Sequence, residues 1–484
     1  MKTMKTLAVL ALAFSLAAGA QAQELKTANF LDNYLYGYRL NPSVAPTGTS
    51  GFVGIGTGSI NVTGETNFGL SNFLFPQADG KLVTGLNKAV SADKFPGGME
   101  EMNRVDARVS ENILAIGALG GKGGYGHFEI NFVTEENVGV PRALFEAFKS
   151  QNTTGHYLVE DIHFNTTNYL ELAFGRSKRN KNLAIGWAVK GLVGIAKADA
   201  SVDMEINTAG EGMWLRSKGT LKAAASPLSI GINSEGYYDP SMIGLNTEGL
   251  KPSGLGAAVD IGLSYYLLRD KIILGAAVRN LGGMKWTNNL YGANSGNKVV
   301  VDVNDMDKVS EGVQDMIKFK PVEGAEEGKF EMLPFSYNLS AKFKPVKLVT
   351  LGVVGTFYNY SGYTTKDIRF GAALTPFRQF NVAGTYSIGN QGNEIGVAAS
   401  VRVLGINVYA GVDAIQFRVS PQYIPLDPVS VVANAGVAFA FGKSSAKAAS
   451  DKAKAKSSKQ SKSKKDKKGK KNSSAEPLPE LLAE

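Results

Sequence analysis

From Val259 to Leu267 every odd position is apolar (Val259, Ile261, Leu263, Tyr265, Leu267), while the even ones are Asp260, Gly262, Ser264 and Tyr266. After Arg269-Asp270-Lys271 the alternation resumes through Ile272, Leu274, Ala276 and Val278. A period of two places successive side chains on opposite sides of an extended chain, so this stretch is expected to form a β-hairpin. The same pattern returns in 335–343, 367–375, 380–388, 395–403, 406–414 and 429–441. Strands this long exceed those of ordinary soluble sandwiches and approach the ~9–11 residues that a tilted membrane strand needs.

The connections add a second constraint. Short turns at 269–271, 344–347, 376–379 and 404–405 alternate with longer polar stretches at 284–333, 359–366, 389–394 and 415–428. Barrels of bacterial outer membranes have short turns at one end and longer loops at the other. An apolar face directed at lipid requires a closed sheet, because an open edge in hydrocarbon leaves backbone groups unpaired. The fold expected is therefore an all-β, transmembrane antiparallel β-barrel. Further alternating segments at 51–63, 105–119, 125–133, 168–176, 183–196, 215–225 and 228–233 give about 14–16 strands. The weak pair around Ser226 decides between the two numbers. An even count places both termini in the periplasm. Tyr265, Trp187, Trp286, Phe343 and Phe439 are expected to form an aromatic girdle.

The ends of the chain are different. Lys2 and Lys5 precede "LAVLALAFSLAAGA", and "AQA" offers a small-x-small cleavage site, so residues 1–22 read as a secretory signal peptide. Residues 443–484 hold thirteen Lys against five acidic residues. Without both ends, the formal charge of +9 falls to about −1. The tail, low in aromatic and branched residues, is expected to be disordered. In the periplasm it would meet cell-wall carboxylates or anionic lipid head groups; nucleic acid is not an expected partner.

Little in the chain suggests catalysis. Cysteine is absent, and there are only three His. These lie near an expected turn or in expected loops, so no enzymatic activity is anticipated. "GGKGGYG" at 120–126 lacks the spacing of a phosphate loop and reads as a hairpin turn. "DVNDMDKVSE" at 302–311 lacks the Gly and acid positions of a calcium loop and suits a short loop helix. "PRALFEAFK" at 141–149 reads as another loop helix. "GIGTG" at 54–58 is taken as close strand packing. No metal or cofactor is expected. The lumen-facing positions hold Glu171, Lys190, Asp260, Arg279, Asp367, Arg369, Arg402 and Asp413. Four acids and four bases give no ring of one sign; a mutually paired network is expected.

"LDNYLYGYRLNPSVAP" before the first strand, and "VDIGLSYYLL" followed by "IILGAAVRNLGGMKW", resemble the FadL-like outer-membrane barrels of Bacteroidota. That group includes PorV-type proteins and an uncharacterised barrel family, which the chain resembles most. The resemblance spans roughly residues 25–442. It implies about fourteen strands and a segment, 23–50, folded into the lumen as a hatch containing Arg39, Asn41 and Pro42. Ser43-Val44 stands where fatty-acid channels show Ala-Gly. Two functions follow from it: a hatch-plugged channel for a small hydrophobic or amphipathic molecule, or an outer-membrane platform for a secretion or envelope complex. The barrel itself is assigned to residues 51–442.

Overall fold

The computed structural model describes residues 24–442 apart from 33, 121–123, 150–154, 208–212, 225–227, 246–250, 288, 295–297, 302–317, 324–327, 329, 360–363, 378 and 416–425. The signal segment, the 302–311 loop and the Lys-rich tail lie outside the described residues.

Fourteen antiparallel strands close into a barrel. In chain order they are β1 (Gly51–Thr66), β2 (Met102–Leu119), β3 (Gly124–Pro141), β4 (His156–Asn180), β5 (Leu183–Asn207), β6 (Gly254–Leu267) and β7 (Ile272–Trp286). They continue with β8 (Phe335–Val346), β9 (Val349–Asn359), β10 (Thr364–Phe377), β11 (Phe380–Gly389), β12 (Gly392–Val403), β13 (Ile406–Ile415) and β14 (Ser430–Phe441). Closure is direct: Gly51 of β1 pairs with Phe441 of β14. Each strand otherwise pairs with its neighbour in this order, β5 joining β6 and β7 joining β8.

The opening hairpin shows why the sequence folds this way. Ile261, Leu263 and Tyr265 are exposed on the outer face, whereas Asp260 and Ser264 are buried inward. The outer surface repeats this all round the barrel: Trp187, Leu274, Phe343, Phe370, Val408 and Phe439 are among its exposed apolar side chains. A soluble protein does not expose so large an apolar surface; here it forms the lipid-facing band. At the short-turn end Arg179 clasps Asp270 across two turns, 2.8 Å from one carboxylate oxygen. These hydrogen bonds hold the Asp270 carboxyl below its usual range.

The wall has unequal height. β4 and β5 run 25 residues each, β11 and β13 only 10. The surplus of β4 and β5 stands beyond the lipid band at the long-loop end. There the strand Met213–Ala224 extends the sheet alongside β5, and Leu290–Asn294 and Lys298–Val301 pair with that strand. This settles the strand count at fourteen. The segments on either side of Ser226 are not wall strands, since 228–232 instead pairs with Tyr238–Leu245 in a separate ribbon. The helix expected near 141–149 is α1 (Arg142–Lys149), whose Ala147 packs with Val159, Val202 and Met204.

Several expectations change. The connection at 389–394 is not a long loop: β12 begins three residues after β11 ends. Trp286 does not belong to the girdle. It is 3% exposed because the bulge at Asn280 reverses the phase of β7 and turns it inward with Met284, against Leu192 and Leu333. His156 and His163 lie in β4 rather than in loops, while His127 does lie near a turn, three residues into β3. "GIGTG" is closely packed, a Cβ on Gly54 standing 2.6 Å from the Tyr36 hydroxyl and one on Gly58 2.9 Å from the Asn112 oxygen, but it is also a break in β1. Val53 pairs with Phe439 and the next partners are Ile60 and Ala435, so six residues of β1 face three of β14. Register also slips against β2 between Ile55 and Ser59. Gly56, at φ +72°, takes a conformation that suits glycine.

Candidate functional site: a plugged lumen below an open vestibule

The segment before β1 lies inside the barrel. Leu25, Ala28, Phe30, Leu35, Tyr36 and Tyr38 are buried there, against the inner wall rather than against one another alone. Two short 3₁₀ turns, Lys26–Phe30 and Gly37–Arg39, shape it. Its contacts with the wall come at three heights.

Near the long-loop ends of β10, β12 and β13 the segment is clamped by charge. The backbone N–H groups of Lys26 and Thr27 donate to the Asp413 carboxylate at 2.8 and 3.2 Å. Lys26 Nζ pairs with Asp367. Arg369, fully buried, lies 3.0 Å from Asp413 and also pairs with Glu394. Three wall acids thus surround one wall cation, and the hatch supplies the missing donors. An uncompensated buried charge is costly, so the clamp depends on both partners.

At mid-height Arg39 donates to Glu129 through Nε at 3.0 Å and Nη2 at 2.7 Å, and Tyr38 donates to the same carboxylate. The Tyr38 ring stacks on His127 with centroids 4.0 Å apart. Tyr36 donates to the Gly58 carbonyl at 2.9 Å, so the hatch fills the break in β1. Beside this lies a separate wall cluster: Lys190 sits 3.2 Å from Glu171, 3.1 Å from Asp260 and 2.6 Å from the Asn280 oxygen. A bulge opposite Asp260, with Asn280 at φ +59°, turns Asn280 inward beside Arg279.

Towards the short-turn end the Asn-Pro pair is the contact. Asn41 donates to the Leu263 carbonyl at 3.0 Å, and its oxygen accepts from Ser43 N and Oγ at 2.9 and 2.7 Å. Ser43 Oγ is 2.7 Å from Ser264 Oγ of the wall. Gly262 is required here: a Cβ on it would stand 2.1 Å from the Asn41 oxygen. At the rim Lys344 reaches Asp32, and Arg402 donates to the Thr47 carbonyl at 3.1 Å.

The eight lumen-facing residues read from sequence do point inward, but they form separate groups. Asp367, Arg369 and Asp413 make the clamp, while Glu171, Lys190 and Asp260 make the mid-height cluster. Arg279 lines two small recesses beside Glu24, and Arg402 holds the Thr47 carbonyl at the rim. Sequence reading passed over Lys26, Glu129, Glu394 and Asn280. The signal for Glu129 was present, since Tyr125, His127, Glu129 and Asn131 share one phase of β3.

Above the hatch, at the long-loop end, a cavity of about 540 Å³ opens. Asp106, Arg108, Glu135 and Lys197 line one side, and Met284, Trp286, Leu333 and Phe335 another. A volume of this order suits a small organic ligand.

A membrane-spanning barrel with its N-terminal segment packed as a plug below a ligand-sized vestibule is the class of protein these features define. The chain belongs to a family of unknown function, DUF5723, whose model matches residues 42–413. No curated protein matches it. Among solved structures it is similar to the toluene transporter TodX of Pseudomonas putida, at 10% identity and a TM-score of 0.43 over 87% of this chain and 98% of that one. A FadL homologue of Pseudomonas aeruginosa gives 11% and 0.43 over 88% and 100%. The toluene transporter TbuX of Ralstonia pickettii gives 8% and 0.38 over 88% and 99%.

Proposed function

We propose that this protein is an outer-membrane channel for a small hydrophobic or amphipathic molecule. The observation that carries the reading is the position of the cavity: it lies at the long-loop end, has Met284, Trp286, Leu333 and Phe335 in its lining, and meets at Arg108 the recess lined by Glu24, Tyr38 and Arg39 of the hatch. A molecule enters from outside, leaves water against Met284, Leu333 and Phe335, and passes once the hatch yields. The long loops face the exterior and both termini face the periplasm. No catalytic step belongs to this reading, because the buried ionic groups of the lumen are engaged with one another and with the hatch. The toluene transporters named above support the ligand class by analogy.

The test is uptake of a radiolabelled monoaromatic or alkyl compound by cells with and without the gene. Uptake that falls on deletion and returns on complementation supports the channel. Unchanged uptake, with envelope proteins co-purifying, would favour the platform role instead.

A further inference from the structure

The vestibule has two unlike walls. One is a polar ladder. Asp106 of β2, Asn137 of β3, Asn165 of β4, Asp199 of β5 and Lys222 of the next strand are partners in register. They form a single row across five strands, stepping by about 4.8 Å. The row beneath it, in the same phase of the pleat, is Arg108, Glu135, Thr167 and Lys197. Met284, Trp286, Leu333 and Phe335 also line the cavity, and the first three pack with Val133, Tyr169 and Leu192 of β3, β4 and β5. A second cavity of about 350 Å³ adjoins and shares Asn137, Asn165 and Asp199.

The ladder's charges are already committed. Arg108 lies 3.1 Å from Glu135, and Lys197 lies 2.9 Å from Asp199 and also pairs with Glu331. Asp106 accepts from the Asn137 amide, whose oxygen is 3.3 Å from the Asn165 amide. An ionic ligand would have to break one of these pairs. What the wall offers without that cost is the Thr167 hydroxyl and the remaining lone pairs of the carboxylates, with the Asn165 amide, already bonded within the ladder, able to share its hydrogen bonds. These suit hydroxyl groups, which both donate and accept. In the lining of the larger cavity a carboxylate ligand would meet Asp106, Glu135, Glu136, Asp199 and Glu331 against Arg108 and Lys197.

We propose that the vestibule binds an amphiphile with a neutral, polyhydroxylated head group. Its hydroxyls lie along the Asn137–Asn165 ladder and its hydrocarbon lies on the Met284–Leu333 wall. The inference rests on the channel reading and names the substrate class of that site.

Binding is measured by calorimetry on the full barrel in lipid nanodiscs, with empty nanodiscs as reference. The probes are octyl glucoside below its micellar concentration, octanol, octanoate and octylammonium. Octyl glucoside should bind about tenfold more tightly than octanol, the gain expected from one or two net hydrogen bonds. Asn165→Leu should remove most of that gap between octyl glucoside and octanol, and the near-isosteric Thr167→Val part of it. A glucoside no tighter than octanol, or octanoate or octylammonium as the tightest ligand, overturns the head-group assignment and leaves the channel reading in place. Loss of octyl glucoside and octanol binding together, with no uptake by cells, would sink both.

Discussion

The Arg39 guanidinium of the hatch and the Glu129 carboxylate of β3 meet at 2.7 Å with both side chains buried. Neither has water to turn to if the other is removed. Glu129→Ala is therefore expected to destabilise the folded protein by about 3–5 kcal/mol, the range for breaking a buried pair. Replacing both residues, as Arg39→Met with Glu129→Met, should cost markedly less than twice that. Urea unfolding in lipid vesicles measures both; strictly additive losses would show that the pair is not coupled.

Ile261 and Ser264 lie on one strand with opposite surroundings. Ile261→Arg puts a charge into lipid and should cost about 2–4 kcal/mol at mid-depth. Sequence alternation alone makes Ser264 a tolerant, lumen-facing position. The structure changes that expectation, because Ser264 is 2% exposed and touches Ser43 of the hatch. Ser264→Arg should leave the wall folded and heat-stable but expel the hatch, detected as protease cleavage between residues 24 and 50. An uncleaved hatch in Ser264→Arg would mean the contact is dispensable.

That contrast shows how far the sequence was legible. Lipid imposes one rule on every outward residue, so the outer face of β6 and β7 reads directly from alternation. The inner face answers to a partner 221 residues away, and nothing local in Ser264 or Gly262 announces Asn41 or Ser43. The break in β1 was missed for a related reason: a Gly-x-Gly run carries no side-chain phase from which a lost register could be seen. Trp286 was misplaced because the bulge at Asn280 reverses the phase of β7, so the residue that unbroken alternation would put outside faces the lumen. His127 and Glu129 were within reach, but the expected turn at 120–126 drew attention from the polar phase that follows it.

Orientation can be read from single cysteines, since the chain has none of its own. Glu323→Cys, at the long-loop end, should react with an impermeant maleimide on intact cells. Lys271→Cys, in the turn between β6 and β7, should react only after the outer membrane is breached. The reverse pattern would invert the barrel.

The Lys-rich tail begins where the wall ends, with Phe441 already paired to Gly51. Truncation after Gly442 should therefore leave the heat-stable barrel unchanged. If the tail tethers the protein to the cell wall, truncation should abolish co-sedimentation with isolated cell wall, as should added salt for the full-length chain. Undiminished sedimentation of the truncated barrel would end the tethering idea.

The central claim is that the hatch must move for a molecule to pass. Ser43 and Ser264 allow it to be tested, because their hydroxyl oxygens, 2.7 Å apart, place a Cys pair within reach of a disulfide. The Ser43→Cys, Ser264→Cys protein is oxidised in cells and uptake of the labelled hydrophobic compound is followed before and after a reductant. Uptake should be blocked in the oxidised protein and restored on reduction, with neither single variant responding. Equal uptake by the locked and the reduced protein would contradict the account.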